Sequence, residues 1–423
     1  MTTLPVNPVT GLDFTPAVGD MPFTPLQREW LAKAHALGRD TFAARAPQWD
    51  QTASFPFANY DDLREAGFLK LCVPTSHGGL GADYTTYMMV AAEIGRFCGA
   101  TALTWNMHIC STMWTGVLAD GIAMSEQQRA EHAARRKLHF ARIVNEGKLY
   151  AQPFSEGTAA AAGRAPFGTT AKKVEGGWLI NGRKIWASLS GAADYYGILC
   201  TEDKGDDHPD ARDTLYISVP ATSEGFSISG DWDPLGMRGT VSRNLAFKDV
   251  FVSDAEQLMP RGIYFKGAQT WPAMFFTLSP TYLGVANAAY DFTVQYLRGE
   301  VPGEPPIKRR QFPTKQIAVA QMRIQLENMK SIFARAIAEA KPNPSKDEKL
   351  RLYAAHYSVM EGANDIARLA IRTCGGQSML KHLPLERLYR DSRCGALMLP
   401  WTAELILDRM GRETLYEPGE KDE

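Results

Sequence analysis

The feature that most restricts the fold is a change of hydrophobic period along the chain, from helical to strand-like and back again. LQREWLAKAHALGRDTFAARA and YTTYMMVAAEIGRFCGATALTWNMHICSTMWTGVLADG place apolar side chains at the spacing of a buried helix face. The period then shortens. WLINGRKIWASLS, YYGILC, DTLYISVP, GFSIS and NLAFKDVFV are short β-rich runs separated by turn residues. Asn181-Gly182 is the dipeptide favoured at a two-residue hairpin turn, so an antiparallel barrel or sandwich is expected. Four long helical stretches follow, of lengths that suit a bundle in which each helix buries one stripe. The expected fold is α+β, mainly α. It comprises an N-terminal tail over 1–24, a helical domain over 25–146, a middle antiparallel β-barrel domain over 147–258 and a C-terminal four-helix bundle over 259–423.

Charge and cysteine content narrow the function classes. The 46 Lys+Arg against 47 Asp+Glu leave a net charge of -1, which argues against a nucleic-acid or acidic-membrane binder. No apolar run reaches the roughly 18–20 residues of a membrane span. The first 25 residues lack the basic start and apolar stretch of a signal peptide, so a cytoplasmic protein is expected. The six cysteines are scattered, with no C-x-x-C pair, and read as buried thiols rather than a disulfide framework or metal site.

Four blocks of residues then carry a resemblance. They are Tyr150-Ala151-Gln152-Pro153-Phe154-Ser155-Glu156-Gly157 with the following GGWLINGRKIWASLSGAADYYGIL; LGMRGTVSRNLAFKDVFV; Arg309-Arg310-Gln311-Phe312 with Gln321; and Cys374-Gly375-Gly376 through HLPLERLYRDSR. In this order and spacing the chain resembles the acyl-CoA dehydrogenase superfamily, whose members include a flavin monooxygenase branch. The resemblance implies bound FAD, with FMN or reduced flavin as a co-substrate the alternative. It assigns the pyrimidine edge to Gln152, Pro153, Phe154 and Ser155, the ring face to Trp186 and the N5 side to Ser188. Arg309 or Arg310 would meet the pyrophosphate, where a guanidinium fork suits paired phosphate oxygens. Phe312, Gln321, Gly375, Gly376, Thr402 and Glu404 complete the implied cofactor set. A homotetramer or dimer with flavin bound across a subunit interface is also implied, with an unidentified electron acceptor.

The same residues have plainer readings. Alone, Trp186 is a core aromatic on a strand, the Lys-Arg-Arg run is a solvated loop, and two glycines after a helix are a C-cap.

Dehydrogenation of an acyl-CoA needs a base within reach of the α-proton. Pro400-Trp401-Thr402-Ala403-Glu404 matches the family's base-bearing segment, but proline stands at the base position. The second customary position falls on Met274 and Phe275, and neither ionises. Two functions therefore stand side by side. One is α,β-dehydrogenation of an acyl-CoA with a displaced base, for which Glu404 is the candidate. The other is monooxygenation by reduced flavin and O2, in which Ser188 and His108 become the polar groups of interest. A third reading is a non-catalytic flavin or ligand binder. Ala159 stands where the family often has serine near the thioester channel, and Arg238, Ser242 and Arg243 are polar enough to face a phosphorylated ligand.

Overall fold

The computed structural model describes residues 7, 9–157, 166–205, 208–398, 402–417, 419–420 and 422. Among the described residues, six α-helices come first: α1 (Pro25–Leu37), α2 (Ala43–Thr52), α3 (Phe57–Glu65), α4 (Tyr84–Phe97), α5 (Gly99–Met113) and α6 (Glu126–Glu146). Eight strands follow: β1 (Tyr150–Ala151), β2 (Thr170–Val174), β3 (Gly177–Ala187), β4 (Tyr195–Asp203), β5 (Thr214–Pro220), β6 (Phe226–Ser229), β7 (Arg243–Ser253) and β8 (Gln257–Met259). Six more α-helices follow among the described residues: α7 (Ile263–Thr270), α8 (Ser279–Arg298), α9 (Pro313–Ala338), α10 (Lys346–Cys374), α11 (Leu385–Cys394) and α12 (Ala403–Leu415).

Helix starts are written locally. Thr24 with Gln27, Ser125 with Gln128 and Ser345 with Glu348 form reciprocal capping boxes at α1, α6 and α10, each satisfying two backbone donors that the helix cannot. In the C-terminal region α10 is central and touches α8, α9, α11 and α12. The N-terminal helices join this bundle where α4 crosses α8. A Cβ on Gly284 would lie 2.3 Å from the Ala92 carbonyl oxygen, and one on Gly95 would lie 2.7 Å from that of Thr281. The two helices meet backbone to backbone. Gly284→Ala should therefore cost about 1–3 kcal/mol by forcing them apart. The same change at exposed Gly411 of α12, where a new Cβ meets nothing within 4 Å, should add about 1 kcal/mol of helix propensity. Opposite shifts in urea midpoint check the pair; equal shifts defeat the close-approach argument.

The N-terminal arm docks on this crossing. Ala17 N donates to Glu93 Oε2 (2.7 Å), Arg96 Nη1 to the Thr15 carbonyl (2.8 Å), and Asn287 Nδ2 to the Ala17 carbonyl (2.9 Å).

The sheet corrects the barrel expectation. Its order is β6-β7-β3-β2-β4-β5-β8, with β1 beside β4, and the terminal strands β6 and β8 do not pair. It is an open, mixed sheet: β1 and β2 both run parallel to β4, on successive stretches of it, while the other pairs are antiparallel. Alternating side chains look the same in parallel and antiparallel strands, so the sequence pattern does not distinguish them.

Asn181-Gly182 is no hairpin turn. The turn between β2 and β3 is Glu175-Gly176, with Gly176 at φ 74°. Asn181 and Gly182 lie inside β3 at a register shift. There Asn181 exchanges two 2.9 Å hydrogen bonds with Asp249 of β7, and a Cβ on Gly182 would strike Thr169 Cα at 2.6 Å. The glycine admits a bulge and a close strand.

All six cysteines are free thiols, and all but half-buried Cys394 are buried. Among the described residues no helix is long and apolar enough to cross a membrane.

Candidate functional site

The C-terminal end of β3 departs from regular strand geometry. A second register shift lies between Lys184 and Ala187, and Trp186 takes the left-handed conformation at φ 56°. That turn carries its indole out of the sheet, where it is 63% exposed. The ring rests edge-on against Trp232, with centroids 5.6 Å apart, and Trp232 is itself anchored by Nε1 donating to the Arg238 carbonyl at 2.9 Å. The indole is thus left largely in solvent, on a backbone conformation that non-glycine residues seldom adopt.

Just beyond it, a line of hydroxyls runs inward. Ser188 Oγ lies 2.9 Å from Ser242 Oγ, which lies 2.8 Å from Thr240 Oγ1, and that hydroxyl donates to the Met237 carbonyl at 2.9 Å. The turn bearing these groups has two non-glycine residues in the left-handed region, Met237 (φ 53°) and Val241 (φ 45°). It is stitched to β3's end by Leu189 N to the Thr240 carbonyl (3.0 Å) and Ser190 N to the Val241 carbonyl (3.1 Å). From α11, Asp391 Oδ1 accepts the Met237 N–H at 2.5 Å. Burial pushes that carboxyl up to about 6.

The segment Gln152–Glu156 runs beside the same strand. Gln152 is buried, and its Nε2 donates to Tyr216 OH at 2.9 Å, so the side-chain amide is committed to the core. Pro153 is buried, and Phe154 stacks on Trp114 at 5.5 Å. Ser155 leaves its side chain half-buried while its carbonyl accepts from Ile185 N at 2.8 Å. Glu156 is held by three donors: Lys184 Nζ (2.5 Å), Gly168 N (2.7 Å) and Thr169 N (3.0 Å). Lys184 is fully buried and also donates to the Leu199 carbonyl at 2.6 Å. Segment and strand are thereby fixed to each other immediately before Trp186.

A second cluster unites the last two sequence blocks. The Arg309 guanidinium lies 4.4 Å above the Tyr296 ring, and Tyr296 OH donates to Gln377 Oε1 at 3.1 Å, next to Gly375 and Gly376. Lys315 Nζ donates to the Thr373 carbonyl at 2.6 Å. Gly375 ends α10 at φ 85°, and a Cβ on either glycine would meet nothing within 4 Å, so the backbone there borders open space. Arg310 is exposed, and its carbonyl accepts from Gln316 Nε2 at 2.9 Å. Of the two arginines, Arg309 is the one built into this cluster. Phe312 and Gln321 are exposed at the start and on the flank of α9.

His108 sits apart from both clusters. It is fully buried, with Nε2 donating to the Leu69 carbonyl (2.9 Å) and Nδ1 accepting from Tyr150 N (3.1 Å). Both nitrogens are occupied within the fold, so the ring serves packing. Thr402 caps α12 by accepting from Leu405 N at 3.4 Å. Glu404 follows on an exposed first turn, held below the usual carboxylate range by its own backbone N–H and the Thr402 side chain. Met274 is buried and Phe275 half-buried. Arg238 is committed internally to the Asp50 and Pro234 carbonyls (2.7 and 3.0 Å) and to the Asp233 carboxylate, so it does not face a free ligand. Arg243 is exposed. Ala159, Pro400 and Trp401 lie outside the described residues.

Trp232, Thr240, Lys184 and the inward role of Ser242 escaped the sequence reading. A tryptophan within the polar GDWDPLG stretch was the one available signal, because an indole among turn residues has no core of its own to enter.

Comparison with known proteins identifies the family. Residues 24–134 match the acyl-CoA dehydrogenase N-terminal domain family, 154–250 the middle domain and 276–399 the C-terminal domain. YdbM of Bacillus subtilis (strain 168), which carries an acyl-CoA dehydrogenase name, is 30% identical over 396 residues, covering 92% of this chain and 97% of its own. Among solved structures, KijD3 in complex with FMN and dTDP-3-amino-2,3,6-trideoxy-4-keto-3-methyl-D-glucose superposes with a TM-score of 0.80. Its identity is 22%, and 95% of this chain and 96% of that one are covered. The dibenzothiophene monooxygenase TdsC of Paenibacillus sp. A11-2 gives a TM-score of 0.75 at 20% identity, covering 92% and 97%. At these identities the two structures attest the fold.

Proposed function

The chain belongs to the acyl-CoA dehydrogenase family, and from that premise we propose a flavin-dependent oxidoreductase that takes hydride from an acyl thioester onto flavin N5. The observation that carries the reading is the end of β3, where the exposed Trp186 indole and the half-buried Ser188 hydroxyl stand two residues apart on a strand end tied to the Thr240–Val241 turn.

The residues present fit a flavin. Trp186 offers a flat apolar face, Ser188 a hydroxyl toward N5, and the 152–155 segment its backbone toward the pyrimidine edge. Arg309 and the open backbone at Gly375-Gly376 suit the diphosphate and adenosine portion, which favours FAD over FMN. We assign these to the flavin of a neighbouring subunit in a homotetramer or dimer of dimers. The exposed apolar side chains of Phe312, Ile317 and Ile324 beside them support a covered face. When bound, the flavin supplies a two-electron acceptor or, once reduced, a partner for O2. Glu404, the one carboxylate in the base-bearing segment, is the candidate to take the substrate's α-proton.

One observation favours a second reading, monooxygenation. Met274, Phe275 and Pro400 leave both customary base positions without an ionisable group, and oxygenation needs no α-proton base.

Anaerobic addition of a panel of acyl-CoAs to the purified yellow protein distinguishes the two. Bleaching of the flavin band, lost on Glu404→Gln, supports dehydrogenation. Oxygen uptake by the reduced protein with a non-CoA substrate, and no bleaching, supports the second reading. Trp186→Ala should weaken flavin binding about tenfold, the size of a lost aromatic stack of roughly 1.4 kcal/mol. Unchanged affinity in that variant removes Trp186 from the site.

A further inference from the structure

We propose that the hydroxyl line Ser188–Ser242–Thr240 is a directional relay that makes Ser188 a hydrogen-bond acceptor toward its ligand, and so favours reduced over oxidised flavin. This rests on the flavin reading above and names a property of that site.

The direction follows from the end of the line. A carbonyl only accepts, so Thr240 Oγ1 must give its single proton to the Met237 oxygen 2.9 Å away. Thr240 then meets Ser242, at 2.8 Å, with lone pairs alone, and Ser242 must donate inward. Ser242 in turn meets Ser188, at 2.9 Å, as an acceptor, and Ser188 spends its proton inward as well. What Ser188 presents outward is a lone pair. The terminal carbonyl is well fixed, since the N–H of the same residue is held by Asp391 from α11 and the neighbouring turn is pinned to Leu189 and Ser190. Thr240 and Ser242 are buried, at 2% and 8% exposure, so water offers their hydroxyls little alternative.

Oxidised flavin has an acceptor at N5, whereas reduced flavin carries N5–H, a donor. Reduced flavin meets the relay as it stands. Oxidised flavin obtains a hydrogen bond only if Ser188 turns its proton outward, and the line then loses one of its internal bonds. The relay therefore places one hydrogen bond, roughly 1 kcal/mol, on the side of the reduced state. Ser242 and Thr240 act through Ser188 and are positioning residues.

The test is the two-electron midpoint potential of the bound flavin in whole protein, with oxidised- and reduced-flavin affinities measured alongside. Ser242→Ala and Thr240→Val should each shift the oxidised-to-reduced ratio at fixed poise about fivefold toward oxidised, ~20 mV by the two-electron relation. Ser242→Thr, which keeps a hydroxyl, should stay at the wild-type potential. In a Ser188→Ala background, Ser242→Ala should add nothing, because the coupling runs through Ser188. An unchanged potential in both truncations, or an equal shift with Ser188 absent, overturns the relay while leaving the flavin site intact. A wild-type protein that takes up no flavin on reconstitution removes the flavin reading itself, and the relay with it. Should one truncation fail to fold, the other and the Ser188 cycle still decide.

Discussion

Lys184→Met is expected to be among the most destabilising single changes in the sheet, costing about 3–5 kcal/mol, because it strands a buried carboxylate. Lys184 is fully buried, and Glu156 is 5% exposed. Burial drags the lysine below its ordinary range despite its partner. Burial also opposes ionisation of Glu156, but the Lys184 ammonium and the Thr169 donors outweigh it and hold that carboxyl low. The two groups lie 2.5 Å apart in a buried pair, and neither is tolerated alone. The double variant Lys184→Met, Glu156→Gln removes both charges and should recover a large part of the loss, since replacing a whole buried pair is far cheaper than breaking it. Urea unfolding of the single and double variants provides the check. If the double variant is no more stable than Lys184→Met, the charge account is wrong and the loss is one of packing. A further consequence concerns the site: Glu156 ties the 152–155 segment to the strand that ends in Trp186, so Lys184→Met should also blur the visible circular dichroism of bound flavin.

Acid should weaken the fold well above the carboxylate range. Burial lowers His108 to about 4 and, with Arg142 nearby, His139 to about 3. Both imidazoles are neutral in the native state. In the unfolded chain they charge below their ordinary value near 6.5. Between those limits the unfolded state binds more protons, so the stability these histidines lend is complete above pH 6.5. It is lost as pH falls through the folded values. For His108 alone the loss amounts to about 3 kcal/mol by pH 4. His108→Gln, which retains one donor and one acceptor, should reduce the slope of stability against pH by about one proton between pH 4.5 and 6. A slope identical to wild type in that interval contradicts the assignment.

Much of the candidate site was legible because its residues are neighbours in sequence. Trp186 and Ser188 share one strand end, and Gln152 to Ser155 are consecutive. Arg309 and Gly375-Gly376, far apart in the chain, were legible only through the resemblance, and the structure joins them by way of Tyr296 and Gln377. His108 shows the limit from the other side. A histidine in an apolar helix has the same letters whether it faces a cavity or a carbonyl, and here its two partners, Leu69 and Tyr150, come from opposite directions in the chain. Asn181-Gly182 failed for a related reason. A dipeptide that adopts unusual backbone angles suits a turn and a bulge equally, and its pairing with Asp249, 68 residues away, selected the bulge.

The sequence alone determined the order of helical and β-rich regions, the helix starts at their capping boxes and the family. The first two are set within a few turns, where local backbone donors and apolar periodicity leave little choice, and the family is set by four blocks in a fixed order. The tertiary structure decided the strand directions, the burial of Lys184 against Glu156, the contact of the Ser188 hydroxyl with Ser242 and the exposure of Trp186. These depend on which distant groups arrive at one point. Burial removes water as the alternative partner, so a charge or a hydroxyl proton must go wherever the fold has placed an acceptor.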